Sequence, residues 1–196
     1  AYSKNIAKIL DNYCDIVLVG DSMANVLYAH NNTHQITLKN IIEHTVSVKK
    51  GIKKSLLVVD MPKNTYKTFL RAKKNVKLIL RTTKCDAIKI ESDKKNYTII
   101  KKLVRLNIPV MGHIGFTPQF KKKFRVEGGT KVKAHQLLKE AQLIEEAGAF
   151  AIVLECIDPL ASKLITQNLK IPTIGIGSSS YCDGQILVTD DMLGIS

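Results

Sequence analysis

Short apolar runs alternate with longer amphipathic stretches along this chain, and four of the runs end on a carboxylate. They are Ile16-Val17-Leu18-Val19-Gly20-Asp21, Leu56-Leu57-Val58-Val59-Asp60, Ala87-Ile88-Lys89-Ile90-Glu91 and Ala149-Phe150-Ala151-Ile152-Val153-Leu154-Glu155. Runs this short and this rich in Val and Ile predict strands buried on both faces. Further strands are predicted over 109–112, 172–177 and 185–188. Residues Leu38, Ile41, Ile42, Thr45 and Val46 are spaced to form one buried face of a helix over 38–50. Other helices are predicted over 3–13, 66–82, 97–106, 134–147 and 159–169, the third of these stopped by Asn107 and Pro109. The segment 116–133 carries Pro118, a lysine cluster and Gly128-Gly129. It reads as a loop, long enough to act as a lid or binding loop.

This succession makes seven βα-type repeats with connections short enough for right-handed crossovers. Eight would close a (β/α)₈ TIM barrel, which needs about 250 residues. The chain opens directly on a helix and stops soon after its last strand. The expected fold is therefore a single α/β barrel domain over 1–196, lacking most of its first strand and its C-terminal helical region. An open doubly wound sheet is the structural alternative.

Composition narrows the partners. The 196 residues are 45% hydrophobic, enough for one substantial core. Cys14, Cys85, Cys156 and Cys182 are widely spaced, which predicts reduced, mostly buried thiols in a cytoplasmic protein. No apolar run approaches a membrane span. The first residue is Ala1 rather than Met, which leaves room for an upstream targeting segment. The net charge of +13 is almost all lysine, scattered in pairs and one triplet, Lys121-Lys122-Lys123. A nucleic-acid surface would use more Arg and interleaved aromatics, and aromatics are 6% here. A solvated lysine-rich surface, with no nucleic-acid or membrane partner, is the expectation.

The acids at the strand ends point to chemistry, because ligands in such folds bind at the C-terminal ends of the strands. Asp21, Asp60 and Glu91 end consecutive predicted strands. Hard oxygen donors without nearby His or Cys suit Mg²⁺, whereas the plainer alternative for each acid is helix N-capping. Lys89 sits between two isoleucines and two positions before Glu91, on the same side of its strand. A lysine there is costly unless paired. His113 occupies the end of the next strand, suited to proton transfer or hydrogen bonding. Glu155 ends a wholly apolar run, where it can accept a proton or pair with a neighbouring Lys or Arg. His30, His34, His44 and His135 lack such placement. Gly175 and Gly177 form a tight turn that fits phosphate binding and close packing equally well.

Taken together, Val19-Gly20-Asp21-Ser22, Asp60-Met61-Pro62, Lys89-Ile90-Glu91, Gly112-His113-Ile114-Gly115-Phe116-Thr117-Pro118-Gln119, Leu154-Glu155-Cys156, Ile174-Gly175-Ile176-Gly177 and Cys182-Asp183-Gly184-Gln185-Ile186-Leu187-Val188 resemble the ketopantoate hydroxymethyltransferase family in order and spacing. The resemblance implies a (β/α)₈ barrel of the phosphoenolpyruvate/pyruvate type. It implies transfer of a one-carbon unit from 5,10-methylenetetrahydrofolate to 3-methyl-2-oxobutanoate, giving 2-dehydropantoate, the first committed step of pantothenate synthesis. By motif, Asp21, Asp60 and Glu91 would bind Mg²⁺, and Asp21, Ser22, Asp60 and Lys89 would hold the oxoacid. Glu155 would be the proton acceptor and His113 a supporting residue. Homo-oligomers, decameric in the family, are implied as well.

The chain departs from the family pattern at several places. Ser178-Ser179 stand where Ala-Gly is usual, Ala29 where Gly is usual, and His34-Gln35 where Leu-Pro is usual. The alternatives are another Mg²⁺-dependent oxoacid lyase or mutase of the same barrel superfamily, or an inactive basic relative acting as a binding protein.

Overall fold

The computed structural model describes residues 1–93, 96–121 and 123–195, so Lys122 of the lysine triplet lies outside the described residues. In chain order the elements are α1 (Lys4–Leu10), β1 (Ile16–Val19), α2 (Met23–Val26), a 3₁₀ turn (Thr33–Gln35), α3 (Leu38–Lys49), β2 (Leu56–Asp60), α4 (Phe69–Thr83) and β3 (Ala87–Glu91). Then follow α5 (Tyr97–Val104), β4 (Val110–Gly115), α6 (Lys131–Glu146), β5 (Ala151–Glu155), α7 (Pro159–Asn168), β6 (Thr173–Ile176), β7 (Gly184–Gln185) and α8 (Thr189–Leu193). The strands form one seven-stranded sheet in chain order, β1 to β7. The recorded pairings are parallel, as alternating helices demand. Backbone contacts divide into two compact units, Ala1–Lys89 with Val188–Ser196, and Ile90–Leu187.

In the first unit, β1 pairs with β2 and β2 with the start of β3, with Asp60 opposite Lys89. Leu57, Val58 and Val59 are buried in β2 after an exposed Leu56, as a strand covered on both faces requires, whereas β1 buries Val17 and Val19 and leaves Ile16 and Leu18 half-buried. Helix α3 buries Ile41, Thr45 and Val48, a spacing of four and three. Its inward face therefore runs through Val48 rather than through Ile42 and Val46, which are half-buried. A capping box between Thr37 and Asn40 starts this helix. Helix α4 starts at Phe69 rather than 66, because the Thr68 side chain caps it by accepting from the Arg71 N–H.

In the second unit, every residue of β4 is buried, and the strand continues through His113 to Gly115, past the predicted end at 112. Helix α6 begins at Lys131, capped by Thr130, so the long connection is shorter than the sequence suggests. Strand β7 is only two residues long. Cys85, Cys156 and Cys182 are buried and Cys14 half-buried, all as free thiols. Among the described residues no helix is long and apolar enough to cross a membrane.

Candidate active site

The predicted site residues fall into two clusters, one in each unit. In the first, Asp60 ends β2 and Lys89 lies directly across from it in register. The Lys89 Nζ donates to both Asp60 oxygens, at 2.7 and 2.8 Å, with the two side chains 6% and 2% exposed. The lysine that sits so expensively between two isoleucines is thus paired, as burial requires. Asp21 follows β1, and its backbone N–H points at Asp60 Oδ2 from 3.4 Å. Ser22 comes next, and its Oγ lies 2.8 Å from the Tyr2 hydroxyl. Sequence reasoning gave Tyr2 no role, because nothing in its local pattern marks it. Burial, followed by the charges of Asp190, Asp21 and Asp60, pushes the Tyr2 phenol up to about 12 despite the bond to Ser22.

In the second cluster, His113 on β4 stands between two carboxylates. Its Nε2 is 3.1 Å from Glu155 Oε2 and its Nδ1 is 3.8 Å from Glu91 Oε1. Glu91 is 1% exposed, and its other oxygen accepts from the Gln119 backbone N–H at 3.0 Å. Gln119 lies inside a motif singled out from the sequence, yet its anchoring of Glu91 was not legible there. Glu155 is the open end of this array, with 19% of its side chain exposed. Among the described residues the side chain that approaches it is His113, not a Lys or Arg.

The backbone around Glu155 is tightly determined. Gly115 is opposite Glu155 in the β4–β5 register and has φ +96°, and a β-carbon on it would collide with the Glu155 carbonyl oxygen. That oxygen accepts from the Phe116 N–H at 2.8 Å. Cys156 follows at φ +51°, a conformation costly for a side-chain-bearing residue. Its N–H donates to Ile176 and its C=O accepts from Glu127, which holds the turn. Burial, with the Glu155 charge beside it, pushes the Cys156 thiol up to about 11, so it is a poor nucleophile.

The loop after β4 is fastened to the same turn. Glu127 forms a parallel bridge with Ile157 and pairs its side chain with Lys121 at 3.0 Å and Arg125 at 3.1 Å. Burial raises the Glu127 carboxyl, but the bonds from Lys121 and Arg125 outweigh it and hold it below the ordinary value. Lys121 also donates to the Gly115 carbonyl at 2.6 Å.

The N-capping alternative for the strand-end acids does not hold. The N-cap positions of the helices that follow Asp21, Asp60 and Glu91 are Ser22, Thr68 and Asn96, whereas Asp158 does cap its helix, accepting from Leu160 and Ala161. Gly175 lies within β6 and Gly177 just after it at φ +52°, and close packing alone accounts for a glycine at 175. A β-carbon on Gly175 would press on Gln185 and Cys182, and Asp183 bonds back to Thr173 at the start of β6. Ser178 finds partners of its own: its hydroxyl is 2.7 Å from that of fully buried Ser162 and donates to the Ile157 carbonyl.

Among the described residues no group of three or more His, Cys, Asp and Glu side chains is set to hold a metal ion. Asp21 and Asp60 nevertheless present buried, hard oxygen donors. That donor chemistry fits Mg²⁺, which takes one or two carboxylates and fills its shell with water and substrate.

Solved structures of α/β enzymes share this order of buried parallel strands and alternating helices. Phosphoenolpyruvate phosphomutase from Streptomyces platensis subsp. rosaceus matches with a TM-score of 0.73 at 11% identity, over 99% of this chain and 76% of that one. A 2,3-dimethylmalate lyase of the PEP mutase/isocitrate lyase superfamily matches with a TM-score of 0.65 at 15% identity, over 89% of this chain and 64% of that one. These likenesses show the fold, a parallel α/β barrel type. The family model for ketopantoate hydroxymethyltransferase matches residues 1–196, and the chain belongs to that family. The 3-methyl-2-oxobutanoate hydroxymethyltransferase of Pelagibacter ubique (strain HTCC1062) is 52% identical over 196 residues, all of this chain and 76% of that protein. Those of Anaplasma marginale (strain St. Maries) and Clostridioides difficile (strain 630) are 45% and 44% identical, over all of this chain and 72% and 73% of those proteins.

Proposed function

We propose that this chain transfers a hydroxymethyl group to 3-methyl-2-oxobutanoate, with 5,10-methylenetetrahydrofolate as donor, as a step in pantothenate synthesis. One water is consumed, and tetrahydrofolate and 2-dehydropantoate are released. Asp21 and Asp60 would hold Mg²⁺, with Glu91 completing its shell, directly or through water. Bound there, the ion would polarise the keto oxygen of the oxoacid and so acidify the adjacent C–H. Lys89 fixes a positive charge beside Asp60 and contacts the oxoacid's oxygens, and Ser22 supplies a neutral donor to the same molecule. Glu155 removes the proton from the carbon next to the keto group. That carbon bonds to the methylene carbon, the two bonds from the methylene to the folate nitrogens break with proton uptake by tetrahydrofolate, and the oxygen of the consumed water becomes the new hydroxyl. His113, whose Nε2 approaches Glu155 Oε2 to 3.1 Å, serves as a supporting residue beside that base. The enzyme works in the cytoplasm as a homo-oligomer.

The observation that carries this reading is the contact of His113 Nε2 with Glu155 Oε2 at 3.1 Å. A carboxylate backed by a buried imidazole and open at its other end is built to accept a proton from a bound ligand. The test is deuterium incorporation at C3 of 3-methyl-2-oxobutanoate in D₂O with Mg²⁺, followed by proton NMR without the folate. The wild-type protein exchanges that proton, and Glu155→Gln slows exchange by about 10²-fold or more. A wild-type protein that does not exchange it overturns the reading. Light scattering measures the assembly state.

A further inference from the structure

We propose that Tyr2 is a positioning residue that commits the Ser22 hydroxyl hydrogen to the carboxylate of the oxoacid substrate. This rests on the reading of Ser22 as an oxoacid contact.

The argument begins with the hydrogen count. A serine hydroxyl has one hydrogen to donate and two lone pairs with which to accept. Ser22 starts α2 but makes no side-chain cap bond, so its Oγ is not spent on the helix. Its recorded partner is the Tyr2 hydroxyl at 2.8 Å. Either oxygen could donate, and chemistry decides which does. A phenol is a far stronger acid than an alkyl alcohol, and an alkyl alcohol is the better acceptor. Tyr2 is 8% exposed, and the phenol keeps its hydrogen throughout the neutral range. Tyr2 therefore donates to Ser22, and the hydrogen of Ser22 is left for a ligand.

Tyr2 is itself held in place. Its backbone carbonyl accepts from His44 Nδ1 at 2.8 Å. A carbonyl can only accept, so Nδ1 carries the ring hydrogen. In the neutral ring Nε2 is then the acceptor, and the Tyr28 hydroxyl lies 3.0 Å from it. The His44 ring also stands edge-on to the Tyr2 ring, with centroids 6.4 Å apart. A relay thus runs from α3 through His44 and Tyr2 to Ser22. Its electrostatic purpose follows from the neighbours. The Asp21 backbone N–H lies 3.4 Å from Asp60 Oδ2, and Lys89 donates to both Asp60 oxygens as well. An anionic substrate entering among these acids gains from a neutral donor whose hydrogen cannot turn elsewhere.

The test compares Tyr2→Phe, Ser22→Ala and the double variant in the full chain. Tyr2→Phe raises both KM and the calorimetric Kd for 3-methyl-2-oxobutanoate by about tenfold, while kcat changes less than threefold. Ser22→Ala has a similar effect, and the double variant is no worse than Ser22→Ala alone, because the two act as one donor. Replacing Tyr2 by 3-fluorotyrosine, which keeps the donor, keeps KM at the wild-type value. An unchanged KM in Tyr2→Phe, or effects that add in the double variant, overturns the proposal while leaving the reaction intact. Absence of C3 exchange in the wild-type protein overturns the functional reading instead.

Discussion

Gly115 and Glu155 face each other across the β4–β5 ladder so closely that a β-carbon on the glycine would overlap the glutamate's carbonyl oxygen. The obstacle is backbone, which cannot swing aside, and the glycine's φ of +96° disfavours any side chain as well. Gly115→Ala is expected to displace Glu155 and lower kcat by about 10²-fold, the scale of a misplacement near 1 Å. KM for the oxoacid changes far less. Steady-state kinetics beside a thermal melt separates this from simple unfolding.

Ala29 has φ +52°, in the left-handed region. The family's usual glycine at this place has a physical reason here, and the alanine bears the strain. Ala29→Gly is expected to stabilise the protein by about 1 kcal/mol, after the relieved strain is set against glycine's greater freedom when unfolded. Denaturant unfolding measures it, and a loss of stability would show that the turn tolerates alanine without strain.

Ser162 and Ser178 share a hydroxyl contact, and both reach the Ile157 carbonyl. Each single change to Ala is expected to cost about 1 kcal/mol, and the pair together less than the sum, because each hydroxyl's value depends on the other. A double-mutant cycle in urea checks this. Strict additivity would show that the two hydroxyls act independently. Serine in place of the usual alanine is thus accommodated by a second serine one helix away.

Asp11 accepts three backbone N–H bonds, from Ser55, Lys54 and Lys53. Those from Ser55 and Lys54 contribute most, and together they hold its carboxyl down at about 2. A folded value below the unfolded one means that the carboxylate's stabilisation is complete above the unfolded value of 3.8 and is lost as pH falls towards 2. Asp11→Asn is expected to flatten the fall in stability between those values, read from chemical denaturation at successive pH. An unaltered pH profile would show that other carboxylates dominate acid unfolding.

The strands of this fold were legible because each is a short apolar run that reads the same way whatever surrounds it. The strand-end acids and Lys89 were legible for a related reason, since a charge inside or just after such a run demands an explanation. Helix phase was less legible: α3 turns Val48 inward instead of Val46, a choice made by what packs against it. The short α2 and α8 carry too few residues to show a period, and the strand expected over 185–188 shrinks to Gly184–Gln185. Tyr2 escaped notice because its significance lies wholly in a partner 20 positions away. Gln119 serves Glu91 through its backbone N–H, which every residue but proline possesses, so no side-chain pattern could mark it.

Glu127 belongs to two structures at once: its backbone extends the end of β5 through Ile157, and its carboxylate gathers Lys121 and Arg125 from its own loop. A segment moored in this way carries its anchor with it. Evolution can therefore rewrite the outer residues of that loop, lysines included, as long as one acid and two cations keep their places. The lysine-rich character that first suggests a role for charge on the surface becomes, at this spot, a matter of joinery around the base.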